Sequence, residues 1–258
     1  MFVCELAFEC FENTTITKVE KAVNGLMDAL RFNGQVYGRE FPLAMNEATF
    51  TVRCVCPEQE SLHPRNHSDF VNFCLERLSE AGVLSPKVKL IGQDINSEQT
   101  AEDEIPSWQI LYTTYVHTCS PLRSGDTFMP IPLYRNPPTL NGDHKSVIKW
   151  QSEWQACDEI QMAGGCKAEH AAVRELTSIE SDIFRRGWDL RGRMEYITKI
   201  PTYYYLYRVG GENLASEKAR KCPKCGGDWE LEEPLHDIIH FKCDDCRLVS
   251  NISWDHLK

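Results

Sequence analysis

The sequence predicts an α+β protein in three parts: a ferredoxin-like N-terminal sandwich, a helical hairpin in the middle and a C-terminal zinc ribbon. Three observations carry this. Residues 1–117 alternate strand-like and helix-like hydrophobic periods in the order β-α-β-β-α-β, with further strand material after it. Apolar residues then recur at threes and fours through residues 145–199. Four cysteines near the end form two C-x2-C pairs separated by 17 residues.

The elements follow in order. Phe2, Cys4, Leu6, Phe8 and Cys10 alternate with Val3, Glu5, Ala7 and Glu9, the period of two that a strand requires. Thr17-x-x-Glu20 reads as a capping box opening a helix whose inner stripe is Ile16, Val19, Val23, Leu26, Met27 and Leu30. Asn33-Gly34 stops that helix. Two strand-like runs, 36–45 and 48–56, meet at an Asn46-Glu47 turn, and Phe50, Val52, Cys54 and Cys56 share one face. A second helix over 68–81 turns Val71, Cys74, Leu75 and Leu78 inward, and strand material returns at 88–91 and 108–117. The polar stretch 93–105, with Glu102-Asp103-Glu104, reads as a surface loop. Residues 118–144, from Ser120-Pro121 to Asn141-Gly142, are an irregular connector rich in turn formers.

Helices are expected over 145–162 and 168–199. The second would be a rod of about 48 Å, at about 1.5 Å per residue, bent at Gly187 and Gly192. Four tyrosines follow in Tyr203-Tyr204-Tyr205-Leu206-Tyr207, and a strand would put Tyr203, Tyr205 and Tyr207 on one face. The expected domains are therefore 1–117, the connector 118–144, the hairpin with its tyrosine strand over 145–211, and the ribbon over 212–258.

Composition narrows the function. The 258 residues carry 28 basic and 38 acidic side chains, a formal charge of −10. A protein gripping duplex DNA over its whole surface leans basic, so any nucleic-acid contact here needs a local patch. No apolar run approaches the roughly 20 residues that span a bilayer. The opening Met1-Phe2-Val3-Cys4-Glu5 lacks the basic start of a secretory signal. Twelve cysteines in such a chain point to metal or free thiols rather than disulfides. Most of the eight scattered ones sit in hydrophobic patterns as small apolar side chains, with His117-x-Cys119 and Cys166-x-x-x-His170 as the candidate halves of a second metal site that lack a clear partner pair.

The other four, Cys222, Cys225, Cys243 and Cys246, are the candidate metal ligands. Two cysteines three apart wrap one tight turn so that both sulfurs face one point. Pro223 presets that turn and Gly226 supplies a positive φ at its exit. Two such knuckles complete a tetrahedral S4 shell that suits one structural Zn²⁺, with iron as the competitor for the same geometry. A redox dithiol pair is the alternative. Trp229-Glu-Leu-Glu, 238–242 and 248–252 supply the strands of a ribbon, while His236 and His240 are not needed as ligands.

Tyr203, Tyr205, Arg208, Lys221 and Lys224 bring aromatic and basic groups together beside the first knuckle, a pattern suited to RNA or single-stranded DNA; the alternative is that the strand's tyrosines pack against a helix with their hydroxyls at the rim. Arg185, Arg186, Arg191 and Arg193 add positive charge, although Asp182, Asp189 and Glu195 are placed to pair with them. No P-loop, dinucleotide, HExxH or GxSxG motif is present.

The runs Ile183-Phe-Arg-Arg-Gly-Trp188-Asp-Leu, Ile200-Pro-Thr-Tyr-Tyr-Tyr-Leu-Tyr-Arg, Cys222-Pro-Lys-Cys-Gly-Gly and Cys243-Asp-Asp-Cys-Arg-Leu-Val-Ser resemble a bacterial family of uncharacterised proteins described as zinc-ribbon-containing and nucleic-acid-binding. The resemblance implies zinc on those four cysteines and a cytoplasmic setting, and it supplies no catalytic residues. The function expected is a non-enzymatic adaptor binding RNA or single-stranded DNA through the basic and aromatic patch. The alternative is a protein-docking module or homodimeric scaffold, motivated by the net charge and by the acids of the ribbon.

Overall fold

The structure is a computed structural model that describes residues 1–102, 105–140 and 142–256. Asp103 and Glu104 of the acidic run, and Asn141 of the expected turn, lie outside these residues. The chain forms two compact units. Unit 1 comprises Met1–Glu102, Thr118–Ser120 and Met129–Ser146, and unit 2 comprises Asp103–His117, Pro121–Phe128 and Val147–Lys258. No helix among the described residues is long and apolar enough to cross a membrane.

Unit 1 contains β1 (Phe2–Glu9), α1 (Ile16–Asn33), β2 (Leu43–Asn46), β3 (Thr49–Cys56), α2 (Asp69–Glu80) and β4 (Lys87–Gln93). The sheet order is β2-β3-β1-β4 and every pair is antiparallel, the ferredoxin-like arrangement. Register follows from the period of two: Cys4 faces Cys54, Leu6 faces Val52 and Phe8 faces Phe50, and all six are buried. Val19, Val23, Leu26, Met27 and Leu30 of α1 and Val71, Cys74 and Leu78 of α2 close the same core. The helix start lies two residues before the expected capping box. Thr15 is the N-cap, accepting from the Lys18 N–H, and Gly34 ends α1 at φ +80°. The first expected strand of the hairpin shortens to β2; before it, Tyr37 makes only an isolated bridge to Val55.

Unit 2 contains β5 (Gln109–Leu111), β6 (Leu122–Ser124), α3 (Lys145–Ala163), α4 (Glu169–Thr177), α5 (Asp182–Thr198), β7 (Thr202–Leu206), α6 (Leu214–Lys218), β8 (Glu230–Leu235), β9 (Ile239–Cys243) and β10 (Leu248–Ser250). Its sheet runs β6-β5-β7-β10-β9-β8, with β7 parallel to both of its neighbours. The expected boundaries shift accordingly. Strand material at 108–117, placed by its pattern in the first domain, pairs with β7 instead. Residues 121–128 of the connector return as β6 against β5. The strands of the ribbon join the same sheet, because β10 pairs with β7 on one side and β9 on the other.

The long second helix is two helices. Ser178 leaves helical geometry at ψ 132°, and Ser181 caps α5 by accepting from the Phe184 N–H while its hydroxyl donates to the Glu175 carbonyl. Serine hydroxyls compete for backbone groups, which is why the rod breaks here rather than at a glycine. Within α5, Gly187 has a packing role. It lets α5 approach Trp150 and Tyr204, since a Cβ there would stand 2.5 Å from the Trp150 Nε1 and closer still to the Tyr204 ring.

Candidate metal centre

Both knuckles form as their spacing requires. In the first, the Gly226 N–H donates to the Cys222 carbonyl at 2.8 Å and the Cys222 N–H to the Gly227 carbonyl at 2.9 Å, with Gly226 at φ +73°. In the second, Arg247 takes the place of that glycine, at φ +51°. A left-handed residue other than glycine costs about 1–2 kcal/mol, and the Arg247 side chain offsets it with three contacts. Its guanidinium donates to the Asp244 carbonyl at 2.8 Å, to Glu195 Oε1 at 3.2 Å and to the Tyr203 hydroxyl at 3.3 Å.

The sulfurs of Cys222, Cys225, Cys243 and Cys246 all lie within 4.8 Å of one another, and Cys225 and Cys243 are 3.7 Å apart. A tetrahedron with metal–sulfur bonds of about 2.3 Å has edges of about 3.8 Å, so the four thiols can hold a metal ion. Cys222 and Cys243 are buried and Cys225 is exposed. The Gly227 N–H holds the Cys225 thiol below its ordinary pKa, with help from the other three thiols. Burial pushes Cys243 and Cys246 up. His236 and His240 stay out of the cluster, as the spacing implied. His236 stacks on Phe128 at 5.1 Å and bonds the Gly125 carbonyl, and His240 Nδ1 accepts from the Ile252 N–H.

The predicted nucleic-acid residues are not brought together as an open surface. Tyr203 and Tyr205 are each 3% exposed, so neither offers a face on which a base can stack, and that expectation is corrected. The run Tyr203-Tyr204-Tyr205-Leu206 belongs to a strand covered on both faces, which an unbroken apolar and aromatic run signals. Tyr203 packs edge-on to Trp108 and donates to Asp244 between the ligands; Tyr205 packs edge-on to Tyr112 and donates to Asn251 at 3.0 Å. Tyr204 meets Trp150 and Phe184 on the helix side. Arg208 is held by Glu217, with Nε 3.0 and 3.1 Å from its two oxygens. Lys221 is exposed and pairs with Asp228, while Lys224 is exposed with its ammonium 4.3 Å from the Trp188 ring centre. Three of the helix arginines are paired as their spacing suggested, Arg185 with Asp182, Arg191 with Glu195 and Arg193 with Asp189, while Arg186 pairs across to Glu153 of α3, which the spacing did not show.

Sequence reasoning missed Glu217. Its side chain is 1% exposed and salt-bridged to both Arg208 and Arg220, and it accepts from the Ser253 N–H at 3.4 Å, which ties α6 to the segment after β10. Only the charge alternation of Glu212–Lys221 hinted at it. A cavity of about 730 Å³ beside α3, α4 and α5 was likewise not foreseen. Arg174, Arg185, Glu175, Glu180 and Asp182 line it, and burial pushes the Cys157 thiol up, away from nucleophilic reactivity.

Comparison with known proteins places the chain. A domain of unknown function, DUF2310, matches residues 103–207, and two further domains of unknown function, DUF8589 and DUF8594, match residues 1–92 and 211–256. An uncharacterized protein of Haemophilus influenzae is 46% identical over the whole length of both chains. The chain belongs to the DUF2310 family. A second uncharacterized Haemophilus influenzae protein is 50% identical, covering 69% of this chain and 88% of its own. The DUF2310 match spans β5 to β7 and the DUF8594 match spans the ribbon, so two family domains share the sheet of unit 2. A solved structure of a candidate antibiotic biosynthesis monooxygenase from Deinococcus radiodurans superposes on 37% of this chain and 98% of its own, at 13% identity and a TM-score of 0.26, a likeness too low to carry an argument.

Proposed function

We propose that the four-cysteine centre of this DUF2310 protein is a structural Zn²⁺ site, and that the protein is a non-enzymatic module whose ribbon docks on a basic protein surface. Soft thiolates in a closed tetrahedral set favour zinc, and four protein ligands leave no open position for chemistry. The charge around the centre carries the docking reading. Asp228, Glu230, Glu232, Glu233, Asp237, Asp244 and Asp245 are all exposed. The nearby Lys221 and Lys242 are spent on Asp228 and Asp244, and the other five acids make no ion pair among the described residues. A phosphate backbone is repelled by such a rim, while a Lys- or Arg-rich surface is drawn to it.

Metal analysis and an association assay test this together. Purified protein is expected to carry one zinc per chain. A partner captured from lysate is expected to survive nuclease treatment and to be lost on reversing charge at Glu230→Lys, Glu232→Lys and Glu233→Lys with zinc retained; Lys221→Ala is expected to leave it bound. Tight RNA binding that weakens with salt and with Lys221→Ala and Lys224→Ala would overturn the docking reading in favour of the nucleic-acid one.

A further inference from the structure

We infer that metal occupancy at the four thiols governs the fold of all of unit 2, and not of the ribbon alone. The inference rests on the zinc reading above and concerns what the bound ion supports. Three placements lead to it.

The first is topological. β10 begins two residues after Cys246 and is the link between the two halves of the sheet, with Leu248 opposite Tyr204 and Cys243, and Ser250 opposite Leu206 and Phe241. Without β10, the β8–β9 hairpin has no strand neighbour in unit 2 and β7 becomes an edge strand made of buried aromatics. Such an edge is exposed apolar surface with unpaired backbone groups, which a folded sheet does not sustain.

The second is the set of contacts that tie α5 and β7 to the knuckles. Each comes from a residue between two ligands or beside one. Lys224, between Cys222 and Cys225, covers the Trp188 ring at 4.3 Å. Asp244, between Cys243 and Cys246, accepts from the Tyr203 hydroxyl. Arg247, next to Cys246, reaches Glu195 of α5, and its carbonyl accepts from the Tyr204 N–H at 2.9 Å.

The third is how little else holds the turn of the first knuckle. Residues 223–228 are all exposed, and no cysteine among the described residues is in a disulfide. A turn with so little buried surface has no apolar core of its own, so the metal is what sets the spacing of its contacts.

The test uses the full-length, zinc-loaded chain and follows amide hydrogen exchange by peptide while zinc is withdrawn with EDTA. Exchange in Thr202–Leu206 and in α5 is expected to rise at least tenfold in step with zinc loss, while β1 and β3 of unit 1 keep their protection. Cys225→Ser, at the exposed ligand, is the second arm: it is expected to weaken zinc retention, with β7 protection tracking zinc content across a titration. A rise confined to 222–248, or β7 protection independent of zinc content, overturns the inference while leaving the zinc site standing. Absence of stoichiometric zinc in the starting protein instead overturns the reading on which it rests.

Discussion

Unit 1 buries Leu6, Phe8, Val23, Leu26, Val52 and Leu78, and no Asp, Glu, Lys or Arg is buried among its described residues. Unit 2 buries Tyr203, Tyr204, Tyr205, Trp150 and Trp154, and with them Arg123, Asp158 and Glu217. One core is closed by apolar area, which is non-directional and contributes about 25 cal/mol per Å² buried. The other is closed by rings with hydroxyls, by ion pairs and by a thiol cluster, all of which need partners in fixed positions. The difference teaches where each unit is vulnerable. Unit 1 is expected to fail through lost volume, and unit 2 through a lost partner or proton and, on the inference above, through loss of the proposed metal ion.

Three substitutions sharpen that contrast. Phe8→Ala removes a fully buried ring of unit 1 and is expected to cost about 4 kcal/mol in denaturant unfolding of that unit, with zinc content unchanged. Zinc loss from this variant would show that the two units do not fail independently.

Glu217→Gln strikes unit 2 through charge. It leaves Arg208 and Arg220 without their shared carboxylate and is expected to cost about 3 kcal/mol. Burial raises the Glu217 pKa, but the Arg208 hydrogen bonds, the charges of Arg220 and Arg208 and the Ser253 N–H together outweigh it, and the group titrates below the ordinary glutamate value. The sign follows: the ionised group stabilises unit 2 fully above the glutamate range, and that contribution disappears as pH falls through the lower folded-state value. Wild-type stability is thus expected to drop between pH 5 and the acid limit more steeply than that of the Gln variant. Parallel curves would remove Glu217 from the account.

Gly187→Ala is the smallest of the three. The added methyl meets Trp150 and Tyr204, and overpacking of this kind costs about 2 kcal/mol. A variant as stable as wild type would mean that α5 can shift off the sheet, and that the aromatic packing of unit 2 is looser than the apolar packing of unit 1.

Parts of this contrast were legible in the sequence. The alternation from Phe2 to Cys10 and the stripe from Val19 to Leu30 specify faces by local period alone, and unit 1 follows them. The two knuckles were equally legible, because a C-x2-C turn is built within four residues. The burial of the tyrosine strand was not legible, because its alternation says which residues share a face, not whether anything covers that face. Trp108 and Tyr112, about 90 residues away, cover it. The break between α4 and α5 was hidden for a related reason: the apolar spacing continues through Ile179 while Ser178 and Ser181 redirect the backbone.

What the sequence by itself determined, then, is everything closed by neighbours: helix stripes, strand faces, turn residues and the four sulfurs aimed at one point. The tertiary structure alone decided that β10 lies between β9 and β7, that Glu217 is shared by two arginines, and that the predicted stacking tyrosines are buried. Local order comes from dihedral preferences and spacing within a few residues. Strand partnership and burial depend on which distant surfaces must be removed from water together, and no window of sequence contains that information.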